Sequence, residues 1–186
     1  MNLARRPNIP LSIDSERLHI RRYEPGDDAE LHRAARESVN EVYPFLAWCH
    51  PGYSLAESRA WLRTIKQEWE KAISYGFVIR DRETDEFLGG CGLNRIDENP
   101  MMNLGYWIKT PATGRGIATE ATLALAQFGF DHLGLMRIEI VMSVKNAASR
   151  KVAEKAGARF EGILKNRLFL HGKVHDARLY ALTAAD

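Results

Sequence analysis

Thr113-Gly114-Arg115-Gly116-Ile117-Ala118 lies between a strand-like run and a helix-like one. A glycine-flanked turn that delivers a strand into a helix presents backbone N–H groups without intrahelical acceptors, together with the positive end of the helix dipole. That chemistry suits a phosphate or diphosphate, and the Arg115 side chain could add positive charge. The P-loop pattern Gly-x-x-x-x-Gly-Lys-Ser/Thr does not occur. The dinucleotide fingerprint needs a Gly or Ala where Thr119 stands. A tight turn that binds nothing satisfies the same Gly-x-Gly spacing, so the neighbouring elements must decide.

Upstream, Asn103 to Ile108 is short, apolar and aromatic, as a buried strand is. Downstream, Ile117, Ala121, Ala124, Leu125 and Phe128 recur on one helical face, with Glu120, Gln127 and Asp131 on a separate flank. Nearer the start, Leu18 to Tyr23 reads as a half-buried strand, and Pro25 opens a helix over about 26–40 with Asp27 and Asp28 in its first turn. Tyr43 to Tyr53 holds Pro44 and Pro51 and gathers Tyr43, Phe45, Trp48 and Tyr53 in a loop. Ser54 and Glu57 form a capping-box pattern at the head of a helix reaching about Ile73, with Leu55, Leu62, Ile65 and Trp69 inward. Residues 76–80 and 86–96 read as strands, the second containing Gly89, Gly90 and Gly92, which permit bulges or close backbone approach.

Arg137 to Ser143 is a further strand, Asn146 caps a helix over about 147–156, and Gly157 supplies its stop. Phe160 to Leu164 and Ala177 to Leu182 complete a set of seven strands. Antiparallel neighbours come first and strand–helix–strand–helix–strand order follows. An α/β (α+β) fold is expected: one mixed, mostly antiparallel seven-stranded sheet with helices on both faces. The glycine loop falls at the carboxyl end of its strand, where ligands of open sheets collect.

The chain of 186 residues suits a single domain, with its core over about 18–182, and its 45% hydrophobic and 27% charged content is ordinary for a globular protein. A net charge of +2 does not argue for nucleic acid or a membrane surface, and no apolar run is long enough to span a bilayer. Met1 to Pro10 carries Arg5 and Arg6 without a following apolar stretch, unlike a secretory signal. Cys49 and Cys91 lack metal-ligand spacing, so no metal is expected and a reducing cytoplasm is the simplest setting.

With these elements in place, the chain resembles the GNAT family of acetyl-CoA-dependent N-acetyltransferases. The family loop is Arg/Gln-x-x-Gly-x-Gly/Ala, whose end is supplied by Gly116-Ile117-Ala118. Phe87-Leu88-Gly89-Gly90, Leu93-Asn94-Arg95-Ile96 and Leu104-Gly105-Tyr106-Trp107-Ile108 resemble the subgroup that acetylates ribosomal-protein N-termini. Asn146-Ala147-Ala148-Ser149, Ala156 to Gly162, and His175-Asp176 followed by Leu179-Tyr180-Ala181 continue the likeness, which spans Leu18 to Leu182. One departure stands out: the first loop position is Thr113 rather than Gln or Arg.

The resemblance implies direct attack of an amine on the thioester of acetyl-CoA through a tetrahedral intermediate. The amine must be deprotonated, the oxyanion stabilised and the leaving thiolate protonated. It further implies that Gly114, Arg115, Gly116, Ile117, Ala118 and Thr119 cradle the diphosphate. The pantetheine arm would lie where the fourth and fifth strands splay, bonded near Trp107 and Ile108 and contacted by Asn146. Ser149 is the implied general acid. The base is open among His175 beside Asp176, His171 and a water chain, and Trp48 is the candidate for the acceptor site. The expected acceptor is a protein N-terminus in the cytoplasm, with a small amine (polyamine, antibiotic or amino acid) and a non-catalytic acyl-CoA module as alternatives. No nucleic-acid or membrane partner is expected, and a homodimer is left open.

Overall fold

The computed structural model describes residues 9–184, so Arg5 and Arg6 lie outside the described residues. The strands are β1 (Ser12–Asp14), β2 (Leu18–Arg22), β3 (Ser74–Asp81), β4 (Phe87–Arg95), β5 (Met101–Ile108), β6 (Arg137–Ser143), β7 (Arg159–Leu170) and β8 (Lys173–Thr183). The helices are α1 (Asp27–Glu37), α2 (Val39–Val42), α3 (Leu55–Glu70), α4 (Ile117–Leu133) and α5 (Ala147–Lys155). All eight strands form one sheet in the order β1-β2-β3-β4-β5-β6-β8-β7. Every pairing is antiparallel except β5 with β6. Helices α1 and α3 cover one face, while α4 and α5 cover the other.

The mixed sheet with helices on both faces matches the expectation, with an eighth strand added at its edge. That strand, β1, is only three residues long and carries no hydrophobic period of its own. It exists because β2 pairs with it from Ser12–Arg21 to Asp14–His19. The helix expected over 26–40 breaks at Ser38, whose buried hydroxyl donates to Ala34 O at 2.7 Å and accepts from Thr110 N at 2.9 Å. A side chain that bonds a backbone carbonyl one turn back weakens a helix, and here it also ties the helix end to the exit of β5. Helix α3 begins as expected, with both halves of the Ser54–Glu57 capping box formed, and it stops at Glu70 ahead of Ala72, whose φ is +53°.

The last two strands are far longer than their hydrophobic runs. They meet in a two-residue turn, His171-Gly172, with positive φ at both positions, the geometry that matches the twist of a hairpin. The register slips between Leu164 and Leu168, which hides the strand period from the sequence.

The main core lies between the sheet and helices α4 and α5, built from residues such as Phe77, Leu93, Met102, Leu104, Leu125, Phe128 and Ile138. Close contact between β4 and β5 depends on Gly89, where a Cβ atom would fall 2.2 Å from Trp107 O and 2.9 Å from Ile108 Cα. Because those neighbours are backbone, they cannot rotate away. Gly89→Ala is therefore expected to destabilise the fold by about 1–3 kcal/mol, read as a lowered urea midpoint with an unchanged slope.

Candidate active site

Strand β5 carries the site. Its parallel ladder with β6 runs only through Met101–Arg137, Met102–Ile138 and Asn103–Glu139. On its other side β5 stays paired with β4 all the way to Gly89–Ile108. From Leu104 onward the β6-facing edge of β5 therefore has no strand partner. Lys109 N bonds Leu88 O at 2.9 Å, so strand alternation points the N–H groups of Ile108 and Tyr106 into the gap. The same alternation turns Trp107's N–H towards β4, and Trp107 enters the site through its indole instead.

The pleat places successive side chains on opposite faces. Tyr106 packs on the core beside α5, whereas Trp107 packs beneath the α1–α3 region. Over the Trp107 ring lies Trp48, 5.2 Å between centroids and edge-on, with Tyr53 5.4 Å beyond it. Trp48 is 37% exposed, Trp107 is half-buried and Tyr53 is buried, so Trp48 is the most exposed ring of this group. The structure thus brings Trp48 and Trp107 together across distant segments, a contact no local pattern signals.

On the opposite face Asn146 caps α5, its Oδ1 accepting from Ser149 N at 2.9 Å. The Ser149 hydroxyl lies 2.9 Å from Tyr106 Oη, and the Ser149 backbone oxygen, at 3.2 Å, is the alternative acceptor for the single phenol hydrogen. Burial pushes the Tyr106 phenol up to about 12, against a smaller lowering from the Ser149 hydrogen bond. Tyr106 was missed by sequence reasoning, although its position before Trp107 places it on the Ser149 face once the strand is recognised.

At the far end of the gap, Gly114 and Gly116 take φ of +78° and +81°, a conformation that favours glycine. Gly116 opens α4, and Glu120 N is the first donor to close a helical turn, onto Gly116 O at 3.1 Å. The N–H groups of Ile117, Ala118 and Thr119 precede the first closed helical turn and have no intrahelical acceptor, so this loop fits an anionic diphosphate. Thr113, at the departing position, turns its hydroxyl onto Thr110 O at 2.8 Å and reaches no further.

A cation arrives from elsewhere. Arg17, before β2, donates to Arg115 O at 3.0 Å and lies 3.4 Å from where a Gly116 Cβ would stand. Its guanidinium also holds Glu120, which accepts from Arg17 N, Arg17 Nε and Ser15 Oγ, each at 2.8 Å. Burial disfavours the Glu120 carboxylate, but these donors outweigh it and the carboxyl titrates below its ordinary range. The arrangement neutralises an acid that would otherwise face a bound anion. The Arg115 side chain is half-exposed and only loosely near Asp81, at 3.9 Å.

The histidines separate. His171, at the hairpin tip, donates Nε2–H to Tyr43 O at 2.8 Å and meets the Tyr43 ring at a tilt with centroids 4.1 Å apart, so this nitrogen is committed as a donor. No hydrogen bond joins His175 to Asp176 among the described residues. Asp176 instead accepts from Lys165 Nζ at 2.8 Å and Asn166 N at 3.1 Å. Cys49 and Cys91 are both buried, and burial pushes both thiols up, Cys49 to about 11. Among the described residues no cluster of His, Cys, Asp or Glu is placed to hold a metal, and no helix is long and apolar enough to cross a membrane.

A split sheet, an anion-binding loop at its open end and a hydroxyl pair beside the gap define an acyl-transfer site of the GNAT type. Residues 17–159 match the family described as the acetyltransferase (GNAT) domain, and the chain belongs to that family. It is an N-acetyltransferase that uses acetyl-CoA. It is 31% identical to p20, an uncharacterized N-acetyltransferase of Bacillus licheniformis, over 92% of this chain and 95% of the relative. To the ribosomal-protein-serine acetyltransferase of Escherichia coli it is 29% identical, over 83% of this chain and 92% of the relative. The solved structure of Mycobacterium smegmatis RimJ in complex with CoA-disulfide superposes with a TM-score of 0.83 at 25% identity, covering 90% of this chain and 82% of that one.

The depressed Glu120 carboxyl makes a pH-dependent contribution with a definite sign. Stability from it is present above the unfolded carboxyl value of about 4.3 and is lost as pH falls through the lower folded value. Glu120→Gln should be less stable than the parent at neutral pH, and the deficit should shrink as pH drops below about 4. Urea melts at both pH values check this; a deficit that persists in acid contradicts it.

Proposed function

We propose that this protein transfers the acetyl group of acetyl-CoA to the α-amine of a protein N-terminus, as one cytoplasmic acetyltransferase domain spanning the chain. The observation that carries the reading is the interrupted β5–β6 ladder, with Gly114–Thr119 at its open end and different side chains on its two faces. The choice of a polypeptide acceptor is supported by the similarity to a ribosomal-protein-serine acetyltransferase.

Acetyl-CoA supplies an acetyl group already activated as a thioester. The rest is assigned to residues of this chain. The amides of Gly114 to Thr119, with the Arg115 and Arg17 guanidinium groups, hold the diphosphate. The Ile108 amide lies in the gap as a donor to the pantetheine arm or the thioester oxygen, and Trp107 forms the floor beneath the acceptor. Asn146 fixes the first turn of α5 and thereby places Ser149 beside the leaving sulfur. Trp48 lies against Trp107 on the acceptor side, where it packs on the incoming chain and excludes water.

A thiol-release assay with acetyl-CoA and a panel of N-terminal peptides, polyamines, aminoglycosides and free amino acids tests the acceptor. Release with unblocked peptides but not with N-blocked ones is expected, and release confined to small amines overturns the polypeptide assignment. Ser149→Ala should lower kcat on the order of a hundredfold with little change in acetyl-CoA affinity. Gly116→Val should abolish CoA binding by calorimetry, because it places a β-branched residue at φ +81° over the cradle. Trp48→Ala should raise the peptide KM about tenfold and leave CoA affinity unchanged.

A further inference from the structure

The hydroxyl of Tyr106 has two acceptors, and both belong to Ser149: Oγ at 2.9 Å and the backbone oxygen at 3.2 Å. Few arrangements of the two hydroxyl hydrogens satisfy this geometry. If Ser149 donated to Tyr106, the phenol hydrogen would go to the Ser149 carbonyl, and Ser149 would have nothing left to offer a ligand. If Tyr106 donates to Ser149 Oγ, the Ser149 hydrogen is free to point into the gap. The phenol sits on the strand that borders the gap, its backbone N–H points into the same gap, and Asn146 holds Ser149's turn from the other side.

We propose that Tyr106 is a positioning residue that donates its hydrogen to Ser149, so that Ser149 presents its own hydrogen to the sulfur of the departing thiolate. The inference rests on the reading that Ser149 faces that sulfur. In the transfer the N–C bond forms and the C–S bond breaks, with the C–S electron pair passing to sulfur. The amine proton leaves to solvent, and the thiolate is protonated from solvent. Ser149 and Tyr106 keep their protons throughout and act as a two-member chain of hydrogen-bond donors.

Donation rather than proton transfer follows from relative acidity. A thiol titrates near an ordinary value of about 8.5, whereas burial raises the Tyr106 phenol to about 12. Moving a proton from this phenol to a thiolate therefore runs uphill. Hydrogen bonds donated towards sulfur stabilise the thiolate without that cost, and each donor in a chain strengthens the next.

The test titrates the thiol of bound CoA, followed by thiolate ultraviolet absorbance as a difference against the desulfo-CoA complex, so no acceptor is needed. In the parent protein the bound thiol should titrate about one unit below the free one. Ser149→Ala should shift it up to the free value, and Tyr106→Phe, which removes one oxygen and keeps the ring, should by itself produce most of the same upward shift. In the double variant the shift should equal that of Ser149→Ala alone, because Tyr106 acts only through Ser149. A Tyr106→Phe titration identical to the parent, or a Tyr106 effect that persists without Ser149, overturns the proposal. If Ser149→Ala titrates like the parent, the placement of Ser149 has failed and the proposal falls with it. If Ser149→Ala shifts but Tyr106→Phe does not, the proposal alone has failed. Failure to find a peptide acceptor affects neither result.

Discussion

Backbone amides left without a strand partner are the constraint on which the site depends. The β5–β6 ladder ends after Asn103–Glu139, yet neither strand is loose. Strand β5 is held by β4 to its last residue, and β6 is held by β8 to Ser143–Ala177. With both outer edges fixed, the strands cannot close on each other. The gap is a permanent opening whose donors and acceptors need outside partners. An elongated ligand carrying amides of its own can act there as a partial extra strand. Binding to an opening that is already formed requires little reorganisation, which keeps the entropic cost of complex formation small.

The pleat of β5 then separates the chemistry into two sides. Tyr106 looks towards α5 and Ser149, and Trp107 looks towards Trp48 and the loop that carries it. One strand therefore presents a hydroxyl pair on one face and an aromatic pair on the other. Each wall is anchored separately. Asn146 fixes Ser149, while Ser38, accepting from Thr110 N, fastens the end of α1 to the exit of β5. The glycine loop has its own anchor in Arg17, which connects the β1–β2 turn to the head of α4 and removes the charge of Glu120 from the approach of an anion.

Much of this was legible in the residue order, because the elements concerned carry local signals. The glycine loop, the Ser54–Glu57 box, the Asn146 cap and the α4 face each fall within one helical turn or one repeat, and all appear where their patterns place them. The splay was expected from family likeness and occurs at the single parallel junction. What stayed hidden joins distant segments. Arg17 meets Arg115 and Glu120 across roughly a hundred residues, and Trp48 meets Trp107 across a change of element. The β7–β8 hairpin was read too short because its register slip breaks the alternation that reveals a strand. Thr113 departs from the family loop, and the guanidinium that the fold brings against this loop is that of Arg17, bonded to Arg115 O and Glu120.

The histidine geometry bears on the acceptor. His171 spends its Nε2–H on Tyr43 O, and His175 is not oriented by Asp176, whose oxygens are taken by Lys165 and Asn166 N. Among the described residues neither histidine is paired with a carboxylate that would strengthen it as a general base, and the nitrogen left basic on His171 is Nδ1 at the exposed hairpin tip. An acceptor that requires little deprotonation suits such a site. An α-amine titrates near 8, so on the order of a tenth of it is neutral at pH 7, whereas a lysine amine near 10.4 is neutral to less than about one part in a thousand. That difference, two orders of magnitude or more in reactive amine, favours the N-terminus over the side chain before any contact with the peptide is made.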